Sequence, residues 1–203
     1  VVRDGLNPDD ITPLLLASTS PRRRFLLREA GVPFDAVAPG GDAEDVAVAG
    51  KPEELVQRHA LAKARSVAGD FAGRVILGAD TVVVLDGAVL GKPSGEEEAR
   101  AMLATLQGRT HDVYTGLALL DAASGRAETA AEKTAVTIRP LSAEEVDIYV
   151  ATGEPLDKAG AYAVQGRGAF LVKRLDGDYF NVVGLPLYRL SVMLAAFGYR
   201  VFG

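Results

Sequence analysis

"LLLASTSPRRRFLLREAGVPFDAVAP", residues 14–39, holds three elements in succession. Residues 14–17 form an apolar run of the length of a buried strand. Ser20 is a favoured helix N-cap, Pro21 suits the first helical position, and Gly31 is a natural stop, so the spacing predicts a helix between them. Residues 32–39 alternate well enough for a second strand. A strand, a helix and a strand in this order begin an α/β fold. The helix is unusual in one respect. Arg22, Arg23 and Arg24 crowd its first turn, at the positive end of the helix dipole, where cations are disfavoured unless an anion joins them.

Further along, residues 52–69 show helical spacing through Leu55, Val56, His59, Ala60, Lys63 and Val67. The stretch 74–93 is the most β-rich, with strand segments at 75–77 and 82–85 on either side of "GAD" and a turn at Asp86-Gly87. Ser94 is positioned to cap a helix with acids in its first turn, and 111–140 reads as a hairpin of two long strands around Ser124-Gly125. A capped helix (142–153), a glycine-rich connection (154–170), a strand near 169–174, a turn at Asp176-Gly177 and a closing helix (185–198) complete the chain. Helices and strands alternate and then a long hairpin follows, so the expected class is α/β with a mixed sheet. Residues 1–12 read as a loose leader and 13–203 as a single domain.

Bulk composition narrows the chemistry. The chain has 203 residues, 48% hydrophobic and 24% charged, with a net charge of −5. That balance, with no basic–aromatic stripe, predicts no nucleic-acid partner. No segment approaches the roughly 20 apolar residues of a membrane span, and the polar start has no signal-peptide core, so the expected location is cytoplasmic with no membrane partner. Cysteine is absent, which removes disulfides, thiolate metal sites and a thiol nucleophile. With His59 and His111 the only histidines, histidine-centred catalysis is not expected. A metal would be held by oxygens, which favours Mg²⁺ or Mn²⁺.

Four constellations could carry chemistry. A capped helix start with guanidinium groups is an anion site, typically for phosphate. Three arginines about 100° apart also suit a helix that fans charge into solvent, and Arg24 is read as the solvated member. Asp80 lies in a run too apolar to bury an unpaired carboxylate. At a strand break it would serve as a metal ligand or a general base of raised pKa, or else as a turn aspartate. Lys63 and Lys92 could neutralise phosphate oxygens or remain solvated. The loop "AGAYAVQGRGA" (159–169) offers Gln165, an amide with both donor and acceptor, suited to a base edge.

Taken together, "STSPRR", "GADTVV", "GKP", "DKAGAYAVQG" and "NVVGLPL", in this order and spacing, resemble the Maf family of nucleoside triphosphate pyrophosphatases over residues 14–198. The resemblance implies a mixed twisted sheet with flanking helices and two lobes around a central cleft, like the inosine triphosphate pyrophosphatases. It implies cleavage of a nucleoside triphosphate at the α–β bond with a divalent cation, and a homodimer. Asp80 then matches the proton acceptor. Arg22, Thr81 and Gln165 match positions tied to substrate choice. Ser18, Arg23, Lys63 and Lys92 match phosphate-facing positions, and Ser20 joins them in binding substrate.

Ala79-Asp80-Thr81 with "YAVQG" (162–166) resembles the branch that prefers dTTP and UTP rather than the branch that acts on 7-methyl-GTP. A neutral Gln satisfies the O4/N3–H edge of uracil or thymine, whereas a cationic methylated guanine favours a carboxylate. One departure stands out. Ala43 occupies the place of a family glutamate thought to help hold metal; Asp42, Glu44 or Asp45 could substitute by a small loop shift, and Glu44, with Asp80, is taken as the metal ligand. That departure also leaves room for a low-turnover nucleotide-binding regulator of septum formation.

Overall fold

The structure is a computed structural model, and it describes residues 12–41 and 50–199. Leu14–Ala17 is strand β1, Pro21–Glu29 helix α1, Phe34–Val37 strand β2 and Pro52–Ala68 helix α2. Strands β3 (Val75–Leu85) and β4 (Ala88–Leu90), helix α3 (Glu96–Leu106), strands β5 (Thr110–Asp121) and β6 (Ala127–Ile138) and helix α4 (Ala143–Val150) follow. After 3₁₀ turns at Glu154–Asp157, Ala159–Ala161 and Gly166–Phe170 come β7 (Val172–Asp176), α5 (Tyr179–Val183) and α6 (Leu187–Ala196).

The strands form one mixed sheet of seven in the order β2-β1-β3-β5-β6-β7, with β4 beside β3. β1 pairs with β2 and β3 in parallel, and the remaining pairings are antiparallel. Fold class and helix order thus agree with the sequence pattern.

The expected break at Asp80 is absent. β3 runs unbroken because Ala79, Asp80 and Thr81 keep their register with Leu117, Gly116 and Thr115 of β5. The discontinuity is on the other edge. β1 pairs with β3 only as far as Gly78, and β4 takes over only at Val83. Residues 79–82 therefore present an unpaired edge, from which Asp80 projects to one face of the sheet and Thr81 to the other.

Apolar packing differs at the two ends of β3. Leu77 and Ala79 pack with β1, α1 and α6, while Val83 and Leu85 pack with α3 and α4. On the opposite face, α2 lies unusually close to the sheet. A Cβ on Gly78 would collide with the backbone carbonyl oxygen of Ala60, and one on Gly116 with that of Val56. Only glycine at both positions lets α2 sit this near, and Gly116 is the cross-strand partner of Asp80.

Two local readings are corrected and one element is added. Gly95, not Ser94, is the N-cap of α3; the Ser94 N–H and hydroxyl both donate to the Glu98 carboxylate instead. The strand expected near 169–174 starts at Val172, because Gly166–Phe170 turns as a 3₁₀ segment. Helix α5, capped by the Asp178 side chain, has five residues, too few for any periodicity to reveal.

Candidate active site

The gap between β1 and β4 opens into a cleft of about 480 Å³. Its walls come from every segment that ends there: the β1–α1 turn, the 79–82 edge, the start of the segment after β4, the 157–165 connection, and the end of α5. Ser18, Ser20, Arg22, Arg23, Lys63, Asp80, Thr81, Lys92 and Gln165, separated by up to 147 positions in the chain, all line it. Glu44, the expected second metal ligand, lies outside the described residues, as do Ala43 and the rest of 42–49.

Asp80 is the chemical centre. Lys63 Nζ donates to its Oδ1 at 2.7 Å, and His59 Nδ1 stands 3.0 Å from its Oδ2. His59 and Lys63 are four residues apart on α2, hence on one face, and the close seat of α2 over Gly78 and Gly116 brings that face to the carboxylate. Asp80 retains a 14% exposed side chain toward the cleft. Burial pushes its pKa up, but the His59 hydrogen bond, the Lys63 charge and contact, and the Arg23 charge outweigh that and hold it below the usual carboxylate range. The raised pKa expected from the apolar run is thereby overturned. The partners that reverse its sign come from a helix 17 and 21 positions away. His59 is also a residue that sequence reasoning discounted. Its signal was present, in the i,i+4 pair with Lys63, but it has meaning only once α2 is docked.

The arginine turn resolves into three different roles. Ser20 caps α1 by accepting from the Arg23 N–H. Arg23 is buried and braces three segments: Nε donates to the Gly184 carbonyl at 2.8 Å, Nη1 to Ser18 Oγ at 3.3 Å, and Nη2 to Thr81 Oγ1 at 3.0 Å. Arg22 reaches across the cleft to Asp157 on the opposite lip, with 3.4 Å between Nη1 and Oδ2. Arg24, expected to be solvated, is partly buried and donates to the Ser18 carbonyl at 3.3 Å. The tight strand-to-helix turn folds its side chain back over Ser18.

Behind Thr81 runs a chain of hydroxyls. Thr115 Oγ1 donates to the Asn181 carbonyl at 2.9 Å, so its single hydrogen is committed and the Thr81 hydroxyl must donate to it across 2.9 Å. The Asn181 side-chain amide donates to Thr134 Oγ1 at 2.8 Å and to the Val113 carbonyl at 3.1 Å. This anchors α5 and with it Gly184, the acceptor for Arg23. The "NVVG" motif thus holds the arginine in place from behind.

Arg22, Arg23, Lys63, Lys92 and Lys158 set five cations around the cleft against the carboxylates Asp80 and Asp157. The positive end of the α1 dipole adds to the same field. Among the described residues no three His, Asp or Glu side chains converge on a metal position. Mg²⁺ commonly takes one or two carboxylates and completes its shell with substrate phosphates and waters. Asp80, ionised and open to the cleft, fits that use.

A mixed α/β sheet whose interrupted edge holds one ionised carboxylate inside a ring of cations is the architecture of a hydrolase of polyanionic substrates. The chain belongs to the Maf family: the pattern described as Maf-like protein matches residues 13–197. Its relatives include the dTTP/UTP pyrophosphatase of Symbiobacterium thermophilum, 53% identical over 190 residues, covering 93% of this chain and 96% of the relative. The dTTP/UTP pyrophosphatase of Moorella thermoacetica is 52% identical over 193 residues, or 95% and 99% of the two chains. Among solved structures, a nucleoside-triphosphatase / dITP/XTP pyrophosphatase from Mycobacterium abscessus aligns with 92% of this chain and 94% of its own. Its TM-score is 0.45, at 16% identity.

Proposed function

We propose that this protein hydrolyses dTTP and UTP between the α and β phosphates, giving the nucleoside monophosphate and pyrophosphate. The observation that carries the reading is Asp80, an ionised carboxylate at the floor of a cleft whose rim is cationic. Full-length relatives named dTTP/UTP pyrophosphatase support the substrate class.

In this mechanism the triphosphate lies along the mouth of α1, where Arg22, Lys63, Lys92 and the positive end of the helix dipole meet its oxygens. Ser18, Ser20 and the braced Arg23 shape that end of the cleft. Asp80 Oδ2 or Oδ1 accepts a hydrogen bond from water and aligns it with the α-phosphorus. As the new P–O bond forms, the proton passes to the carboxylate and the bond to the β-phosphate oxygen breaks. Its depressed pKa makes Asp80 a weak base, which suits a loose phosphoryl-transfer transition state in which nucleophile deprotonation lags. The cations offset charge on the departing pyrophosphate. A Mg²⁺ or Mn²⁺, which Asp80 and Glu44 would hold, would supply charge neutralisation at the phosphates. Thr81 and Gln165 would read the base from the far side of the cleft.

The same reading takes 13–203 as one two-lobed domain acting in the cytoplasm as a homodimer. No helix of the described residues is long and apolar enough to cross a membrane. The test is a panel of dTTP, UTP, CTP, GTP and 7-methyl-GTP with Mg²⁺ or Mn²⁺, read as pyrophosphate released. Release from dTTP and UTP above the others is expected. Release from 7-methyl-GTP alone, or tight binding with no release, would contradict the reading.

A further inference from the structure

Among the described residues Gln165 is the one neutral amide lining the cleft, and its position rests on the loop stretch 163–168, which runs into the 3₁₀ turn at Gly166–Phe170. Both ends of that loop are tied to the same pair of side chains. At the near end, the Ala163 N–H donates to the Tyr149 hydroxyl at 3.2 Å. At the far end, the Arg167 and Gly168 N–H groups donate to the Glu154 carboxylate at 3.1 and 2.9 Å. The Tyr149 hydroxyl closes the circuit by donating to Glu154 Oε1 at 2.9 Å.

The fit around these groups is close. Gly166 has φ +62°, and a Cβ there would lie 2.6 Å from Glu154 Oε2. A Cβ on Gly168 would collide with the Ala163 carbonyl oxygen and lie 2.6 Å from the Tyr149 hydroxyl. Gly166 is thus fitted to the Glu154 carboxylate, and Gly168 to the Tyr149 hydroxyl and the backbone at the loop's near end. Burial would push Glu154 up, but the Gly168 and Arg167 N–H groups, the Tyr149 hydroxyl and the Lys158 charge outweigh it and hold the carboxyl below the usual range.

Resting on the dTTP/UTP reading, we propose that Tyr149 and Glu154 are positioning residues for base selection: they staple 163–168 from behind and so aim Gln165 at the pyrimidine edge. Neither residue is among the groups that line the cleft. Their effect passes through the loop alone. A loop ordered in advance loses less conformational entropy when the base arrives, and a misplaced amide no longer separates O4/N3–H of thymine from the amino edge of cytosine.

The test compares wild type with Glu154→Ala and Tyr149→Phe. It measures kcat/KM for dTTP and dCTP, the inhibition constant of inorganic pyrophosphate, and thermal melting. Both variants should lose about tenfold of the dTTP:dCTP preference, the worth of one well-made hydrogen bond. KM for dTTP should rise, while pyrophosphate inhibits within about twofold of wild type. A purely structural role would weaken pyrophosphate and dTTP together. That outcome, or an unchanged preference in either folded variant, overturns the inference. Should Glu154→Ala fail to fold, Tyr149→Phe decides alone, since it keeps the ring and removes only the hydroxyl. A wild-type enzyme with no preference for dTTP would instead overturn the pyrimidine reading, and the staple's role in selection with it.

Discussion

Asp80 and Thr81 are adjacent on β3 and look into opposite chemistries. On the α2 face, Asp80 meets two groups that bear or can take a proton, His59 and Lys63, and stays ionised. On the other face, Thr81 enters a one-way run of hydroxyls that ends on a backbone carbonyl. Further along that face, His111 on β5 is buried with its Nε2 2.7 Å from the Tyr162 hydroxyl, and burial pushes its pKa down to about 4. One face of the strand stabilises charge beside the cleft. The other holds the arginine brace in a fixed geometry. The alternation of a strand is enough to set these two functions side by side.

The difference between the two faces is largest at Asp80. Asp80→Asn keeps the shape but removes the charge, and pyrophosphate release should fall by about 10²–10⁴, with dTTP affinity changed far less. Stopped-time assays with equilibrium binding check this. Gly116→Ala attacks the same face through packing. Its Cβ collides with the Val56 carbonyl, so α2 must shift, costing about 1–3 kcal/mol or more, and the turnover should drop with the melting temperature.

The opposite face is probed by acid. His111 has its pKa depressed from 6.5 to about 4 in the folded state. The unfolded chain therefore binds the extra proton first, and the stability present above pH 6.5 is lost as pH falls toward 4, by about 3 kcal/mol. Urea midpoints across that range should fall in wild type and fall less in His111→Gln. Thr115→Val interrupts the hydroxyl run and leaves Thr81 without its acceptor, costing about 1–3 kcal/mol with little change in the rate-limiting chemistry. The smallest effect belongs to Asp157→Asn. Its bridge to Arg22 is largely exposed, so stability should change by less than about 1 kcal/mol, with KM for dTTP lowered slightly as Arg22 is released to the phosphates.

Much of this was legible in the letters. The strand–cap–helix run at 14–31, the lone acid in an apolar strand and the glycine-rich loop around Gln165 all came with local signals, because caps, periodicity and turn residues act over a few positions. The features on which the sequence misleads depend on distant partners. Asp80 reads as a carboxylate of raised pKa until α2 supplies His59 and Lys63, and α2 supplies them because Gly78 and Gly116 have no side chains. Nothing local marks a strand glycine as a seat for a helix. The arginines likewise share one turn but divide their work among Gly184, Asp157 and Ser18, groups whose approach is a matter of tertiary packing.

The account turns on water beside Asp80 meeting the α-phosphorus of a triphosphate held at the α1 mouth. Hydrolysis of dTTP in ¹⁸O-labelled water, followed by mass spectrometry of both products, tests this most directly. The prediction is one ¹⁸O in the thymidine monophosphate and none in the pyrophosphate. Label in the pyrophosphate, or release of orthophosphate as the first product, would contradict it.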